Sequence, residues 1–365
     1  VLIAGAVMVF LLPMFSPLRA TIVGAMVMLL MLSVNFSFWH SANVVLPLAN
    51  GMIAIVLLYA MNMSWGYFVE SRTKRQLTGL FGQYVPPELV EEMSRDPENY
   101  SMAGRKAELT VLFSDIRGFT TISEGLEPNE LATLMNEYLG AMTLVVRKHR
   151  GTLDKYIGDA IMAFWGAPVD DPEHAKNSIL TGLEMNIALQ ELNKDLMSRG
   201  WPELKIGVGV NTGPMTVGDM GSKVRQSYTV MGDAVNLGSR LEGITKQYGV
   251  GFIAGESTRE LVKKEFVFRE LDRVRVKGKV EPVGIYEPLG LEGEVPKSVL
   301  DELKVWNQAL RAYRAQDWDQ AEVALLNLSR MSPHKLYDVY GERVAHYRKE
   351  PPAQDWDGAW TFDTK

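Results

Sequence analysis

Apolar positions crowd the first 68 residues of the chain and then give way to mixed patterns. Residues 1–15 (VLIAGAVMVFLLPMF), 20–38 (ATIVGAMVMLLMLSVNFSF) and 44–68 (VVLPLANGMIAIVLLYAMNMSWGYF) contain no Asp, Glu, Lys or Arg. About 20 apolar residues span a bilayer as helix. The second and third runs are long enough, and the first reads as cut short. The chain opens at Val1 inside an apolar run without an initiator Met, and is expected to be the C-terminal part of a longer protein. Three helices buried in a soluble domain are the competing reading, and three uncharged runs so close together count against it. A signal peptide is disfavoured because the run repeats.

Flanking charge sets the orientation. Arg19 lies between the first and second runs, and Arg72, Lys74 and Arg75 follow the third, whereas WHSAN (39–43) has no Lys or Arg. Basic loops stay on the cytoplasmic side. Residues 1–68 are therefore expected to form three transmembrane helices in a plasma or inner membrane. That puts everything after 69 in the cytoplasm and any preceding segment outside. Trp39, Trp65 and Tyr67 sit near the run ends, where amphipathic rings favour the interface.

Residues 69–104 are mixed and charged and read as a linker broken at Pro86-Pro87. From 105 the periods of strand and helix alternate. ELTVLFSDI (108–116) is rich in β-formers. Residues 127–151 carry Leu131, Leu134, Met135, Tyr138 and Leu139 at helical spacing, with Gly151 as a stop. TLDKYIGDAIMAFWG (152–166) reads as two short strands around Gly158-Asp159, and 174–196 as a second long helix. Strands are predicted at 204–213 and 215–221 with a turn at Thr212-Gly213-Pro214, then at 228–233. A helix over 234–249, a strand at 251–255, a short helix near 256–264 and a strand pair across 274–288 follow. This β-α-β-β-α-β order predicts an α+β, ferredoxin-like domain over 105–290 with one sheet face covered by helices. Residues 291–365 read as a helical hairpin of repeat type, with Trp306, Ala309, Tyr313, Trp318 and Ala321 at packing positions and a loose end. One such repeat cannot bury its face alone, so it is expected to dock on the domain or on a partner.

Composition narrows the function. The formal net charge of −6 argues against a nucleic-acid partner, which calls for a basic face. The chain has no Cys, which excludes disulfides, thiolate metal sites and cysteine nucleophiles.

The candidate chemistry lies at strand ends. FSDIRGFT (113–120) ends an apolar run at Asp115, and KYIGDAIMAFWG (155–166) sets Asp159 in a tight turn. Two neighbouring carboxylates repel unless a cation lies between them, and hard oxygen ligands suit Mg²⁺ or Mn²⁺ with a phosphate substrate. Each Asp could equally be a turn or cap residue. IRGFT could wrap phosphates with backbone N–H groups at a helix start, or be a plain turn. In VMGDAVNLGSR, Asn236 and Arg240 are four apart and share a helix face. They could grip a ribose and a phosphate, or simply line an exposed surface. Lys277 in VKGK is a hairpin-turn lysine or a phosphate contact.

Taken in order, FSDIRGFT, LDKYIGDAIMAFWG, YTVMGDAVNLGSR and VKGK resemble the class III nucleotide cyclase catalytic domain over roughly 105–290. Residues 80–113 resemble the linker ahead of such domains in bacterial membrane cyclases. The membrane helices resemble those of receptors with an extracellular CHASE2-type sensor, which would precede Val1.

The resemblance implies a set of roles. Asp115 and Asp159, with the Ile116 carbonyl, bind two divalent ions per site, Mg²⁺ or Mn²⁺. Asn236 orients the ribose, and Arg240 stabilises charge on the α-phosphate. Lys277 and Arg225 hold the β- and γ-phosphates with the N–H groups of Gly118, Phe119 and Thr120. Lys155 and Thr229 take the base-selecting places, where a lysine donates to adenine N1 and a threonine hydroxyl accepts from N6. Guanine reverses both polarities, and guanylate-forming members use Glu and Cys there. The substrate is therefore expected to be ATP, in a membrane adenylate cyclase working in signal transduction. The family site is shared across a dimer, which implies a homodimer with two composite sites. A guanylate cyclase and an inactive dimeric signalling scaffold are the alternatives. Lys155 and Thr229 disfavour the first, and the presence of Asp115, Asp159, Asn236, Arg240 and Lys277 disfavours the second.

Overall fold

The structure is a computed structural model that describes residues 17–45, 47–61, 63–64, 81–82, 84–95, 103–222, 224, 226–275, 281–353 and 356–362. The first apolar run, Trp65, Tyr67, Arg72, Lys74, Arg75, Arg225 and Lys277 lie outside the described residues. The chain forms two compact units, Val1–Leu80 and Phe81–Lys365.

In the first unit, helix α1 (Pro17–Ala42) holds the predicted second run. Its segment Arg19–Ala42 has a mean hydropathy of 2.0. Among the described residues it is the helix long and apolar enough to cross a membrane. Helix α2 (Ala49–Met61) is apolar but shorter. The two helices meet where Ala20 and Ile55 are buried, supported by Val23, Val27, Met28, Met31 and Leu58. A hydrogen bond of 2.7 Å joins the Thr21 and Tyr59 hydroxyls. Leu29, Leu30 and Phe36 of α1 point outward, a surface that lipid accepts and water does not.

The second unit is built on one twisted sheet. Helix α3 (Pro87–Arg95) precedes it. In chain order come β1 (Arg105–Ile116), α4 (Phe119–Glu124), α5 (Pro128–Lys148), β2 (Thr152–Ile157), β3 (Ala160–Trp165) and α6 (His174–Ser198). Then follow β4 (Ile206–Gly221), β5 (Gln226–Met231), α7 (Asp233–Tyr248), β6 (Phe252–Gly255), α8 (Glu256–Val262), β7 (Phe266–Arg275) and β8 (Val283–Leu291). Helices α9 (Lys297–Arg314), α10 (Trp318–Met331) and α11 (Lys335–Lys349) and the short β9 (Trp360–Thr361) complete it. The strand order is β2-β3-β1-β4-β6-β8-β7-β9, with β5 on β4.

The predicted turn at Gly213-Pro214 is absent. β4 runs unbroken for 16 residues and pairs with β1 from Ile206 to Val217, with Leu109 opposite Gly213 and Glu108 opposite Pro214. The other edge of β4 is partnered by β6 at Val208–Val210 and by β5 from Thr216 onward. Pro214 falls in the gap between them, and a residue lacking an N–H fits an unpartnered strand edge.

Helices cover both faces of the sheet, not the single face expected from the sequence. On one face α5 and α6 bury Leu134, Tyr138, Val146, Ile179 and Met185 against Leu112, Val208, Val210 and Phe252. On the other, α7 and the C-terminal helices bury Leu241, Tyr248, Trp306, Tyr313, Tyr337 and Tyr340 against Ile253, Leu271 and Ile285. Helix α7 lies very close to β4 because glycines meet there. A Cβ on Gly209 would come within 2.2 Å of the Glu242 backbone nitrogen, and one on Gly238 within 2.8 Å of Val111.

The tail is bonded to the sheet rather than resting on it. The Trp306 indole donates to the Glu270 carbonyl at 2.6 Å and the Tyr340 hydroxyl to the Leu271 carbonyl at 2.8 Å. Lys335 donates to the Lys246 carbonyl at the end of α7, 3.0 Å away. A third helix, α11, completes this layer, so the two-helix reading was one helix short. The final stretch, expected to be loose, adds β9 beside β7, and Trp360 lies over Arg343 at 4.1 Å. Its apolar and aromatic residues Ala359, Trp360 and Phe362 gain burial there.

Candidate active site

The register of β1 and β3 pairs Ser114 with Ile161. Continuing it sets the end of β1 beside the β2–β3 turn. Gly158, at φ 66°, makes that turn tight. Asp115 and Asp159 converge as a result. The Ile116 N–H donates to Asp115 Oδ1 at 3.1 Å and to Asp159 Oδ2 at 3.2 Å. Burial, followed by a hydrogen bond and charge repulsion from Asp159, pushes the Asp115 carboxyl up to about 6. Two carboxylates brought this close repel unless a positive charge lies between them. Among the described residues no group of three or more His, Cys, Asp or Glu side chains is gathered around a metal position. The side-chain oxygens that meet here are those of the two carboxylates, with the backbone of Ile116 between them.

Glu242, which the sequence reading did not single out, joins the same field. Burial first and then Asp115 push it up to about 7, with Arg117 opposing and Asp159 adding. Arg117 fastens the loop after Asp115. Its N–H donates to the Lys205 carbonyl at 2.7 Å and its Nη2 to the Val250 carbonyl at 2.7 Å. Gly118, in the left-handed region at φ 69°, turns the chain into α4, which begins with Phe119 and Thr120.

A second cluster forms between β2 and β5. Lys155 Nζ lies 3.2 Å from the Thr229 hydroxyl, so the two predicted base-selecting residues meet. Asp154, also absent from the sequence reading, holds them. Thr229 Oγ1 donates to Asp154 Oδ2 at 2.5 Å, and Lys155 Nζ stands 3.1 Å from Asp154 Oδ1. The β2–β3 register shifts between Leu153 and Lys155. Successive side chains of a regular strand point to opposite faces. A bulge re-aims one, and here it lets 154 and 155 reach the same threonine. The only signal in the sequence was Asp154's position next to Lys155.

Asn236 and Arg240 are exposed on one side of α7, as their spacing requires. Glu242 lies about 200° around the helix from Arg240 at 3.6 residues per turn. Asn236 and Arg240 thus stand on an exposed side of α7, away from the side that carries Glu242, the carboxyl raised by burial and by the charges of Asp115 and Asp159.

The profile of the adenylate and guanylate cyclase catalytic domain matches residues 102–287. Adenylate cyclase 1 of Rhizobium meliloti (strain 1021) is 37% identical over 211 residues, 58% of this chain and 32% of that protein. The chain therefore spans well under half of that relative. The crystal structure of the guanylyl cyclase Cya2 is similar at a TM-score of 0.50 and 36% identity, over 52% of this chain and 96% of that one. The adenylyl cyclase CyaB from P. aeruginosa is similar at 0.50 and 35%, over 53% of this chain and 100% of that one.

Proposed function

The chain belongs to the adenylate and guanylate cyclase catalytic domain family, and from that premise we propose that it is a membrane-bound adenylate cyclase. It converts ATP to 3′,5′-cyclic AMP and pyrophosphate at sites shared by two copies. Residues 105–290 carry the chemistry, 69–104 couple it to the membrane region of 1–68, and 291–365 brace it from behind. The observation that carries the reading is the meeting of Lys155 and Thr229 at 3.2 Å. An ammonium that donates and a hydroxyl that accepts match adenine N1 and N6, and oppose guanine at both positions.

The carboxylates fit a metal role because two acids that meet over one backbone N–H, with burial and Asp159 raising Asp115, are hard oxygen donors that a divalent cation would relieve of their repulsion. Asp115, Asp159 and the Ile116 carbonyl would hold two divalent ions, Mg²⁺ or Mn²⁺. When bound, these supply acidity to the ribose 3′-hydroxyl and neutralise the triphosphate. The other residues position the substrate. Lys277 and Arg225 grip the β- and γ-phosphates together with the N–H groups of Gly118, Phe119 and Thr120. Asn236 aligns the ribose so that the 3′-oxygen lies in line with the α-phosphorus, and Arg240 meets the charge that develops there as pyrophosphate leaves. The outward turn of Asn236 and Arg240 supports a composite site, in which they serve the carboxylate pair of a second copy. The apolar helix α1 supports the membrane anchor, with the catalytic part on the cytoplasmic side.

The guanylate reading has one specific support, the guanylyl cyclase Cya2, which is as similar as the adenylyl cyclase CyaB. Turnover of Mn²⁺-ATP and Mn²⁺-GTP by the whole chain separates the two. Cyclic AMP is expected as the main product. Cyclic GMP in excess would replace this reading, and no product from either nucleotide would leave a scaffold.

A further inference from the structure

We propose that Asp154 is a positioning residue for base selection, which fixes the direction of the Thr229 hydroxyl proton. The inference rests on the adenylate reading above and names what makes its threonine selective.

A hydroxyl has one proton and two lone pairs, and its proton rotates to suit its neighbours. A free threonine could therefore accept from adenine N6 or donate to guanine O6, and would choose poorly between them. Thr229 is not free. Asp154 lies beneath it with its side chain wholly buried. Its Oδ2 is 2.5 Å from Thr229 Oγ1. An ionised carboxylate only accepts, so the hydroxyl proton is drawn inward. Of the two lone pairs, one takes the Lys155 Nζ donor at 3.2 Å and the other is left to accept from the base. That is the polarity an N6 amino group requires. The same carboxylate stands 3.1 Å from Lys155 Nζ and holds the ammonium as the second reader. Burial raises the pKa of Asp154, opposed by the bond from Thr229 and the charge of Lys155. The fold keeps a costly carboxylate where a neutral residue would serve for packing alone.

Asp154→Asn is the direct test because it keeps the shape. Its amide can donate to Thr229, which lets the hydroxyl proton turn outward. The measurement is kcat/KM for ATP and for GTP with the whole chain, wild type beside Asp154→Asn, Thr229→Val and the double variant. The ratio of ATP to GTP is expected to fall about tenfold in Asp154→Asn, the worth of one hydrogen bond, chiefly through a higher KM for ATP. Thr229→Val should lower it comparably, and the double variant should fall no further. An unchanged ratio in Asp154→Asn overturns the inference, including the case in which both nucleotides slow equally, as a merely structural role predicts. Should Asp154→Asn fail to fold, Thr229→Ser must keep the preference and Thr229→Val must lose it; a retained preference in Thr229→Val is equally fatal. A wild-type chain that prefers GTP overturns the adenylate reading and this inference with it. A wild type that prefers ATP, beside an Asp154→Asn chain with the same preference, overturns this inference alone.

Discussion

Two groups of partly or fully buried charge, one on either side of α7, are handled in opposite ways. Behind the helix, Arg343 and Asp272 pair at 2.6 Å with side chains 6% and 1% exposed. Tyr248 donates to the same carboxylate at 2.5 Å, and the guanidinium lies over Trp360 and Tyr340. Burial alone would lower the pKa of Arg343, yet Asp272 and the surrounding tyrosines hold it above its usual value. A few residues away Arg269 meets Glu302 at 2.8 Å. In front, Asp115, Asp159 and Glu242 gather like charges, and both Asp115 and Glu242 are pushed upward. A structural cluster compensates its charges within the chain, because burying an unpaired ion is costly. The front cluster has Arg117 beside Glu242 but, among the described residues, no cation against the Asp115 carboxyl, which burial and Asp159 raise. That is the mark of a site completed by something from outside.

That contrast can be broken from either side. The largest effect is expected in front. Asp115→Ala should lower cyclic AMP production from Mn²⁺-ATP about a thousandfold, as loss of a main electrostatic group does, while the thermal melt stays close to wild type. Mixed with Arg240→Ala, which supplies an intact carboxylate pair, it should recover about a quarter of the wild-type rate. Half of the randomly assembled dimers are then mixed, and each holds one complete site. A mixture that stays inactive although mixed dimers are shown to form would sink the shared site.

Behind the helix the effect should be on stability. Arg343→Met strands the Asp272 charge and should cost about 3–5 kcal/mol in a urea or thermal unfolding experiment. Combining it with Asp272→Asn should cost clearly less than the two single losses added together. Strict additivity would mean that the pair is not coupled. A smaller effect is expected at Glu287 in the same region. Burial first, and then the charge of Glu302, push it up to about 7 from 4.5 despite Arg269. The folded state then holds this proton more tightly than the unfolded state. Its contribution to stability is complete below about pH 4.5 and is lost as pH rises through about 7. Glu287→Gln should flatten the fall in melting temperature between about pH 5 and pH 7. An unaltered slope would show that the group titrates normally.

Much of the front was legible because each of its signals is local. Asp115 ends an apolar strand, Gly158 marks a turn, and Asn236 and Arg240 stand four apart on a helix, so residue type and spacing alone suggested where they belong. Asp154 was not legible, since regular alternation points it away from its neighbour Lys155 and only a bulge brings both to Thr229. Glu242 was missed because nothing in SRLEG says that this side of α7 overlies β1 and β4. The tail was half-read. Its helical period is plain, but the hydrophobic pattern does not reveal that its face closes the back of the sheet.

The sequence by itself determined most of the elements, the apolar N-terminal helix, the family and most of the candidate residues, because periodicity, turn chemistry and short motifs are properties of neighbouring positions. Only the tertiary structure decided which distant groups share a field. Whether a carboxylate is neutralised by an arginine or left facing another carboxylate depends on how strands register and helices dock. Electrostatic energy follows distance through space and burial, and neither is written in the spacing along the chain.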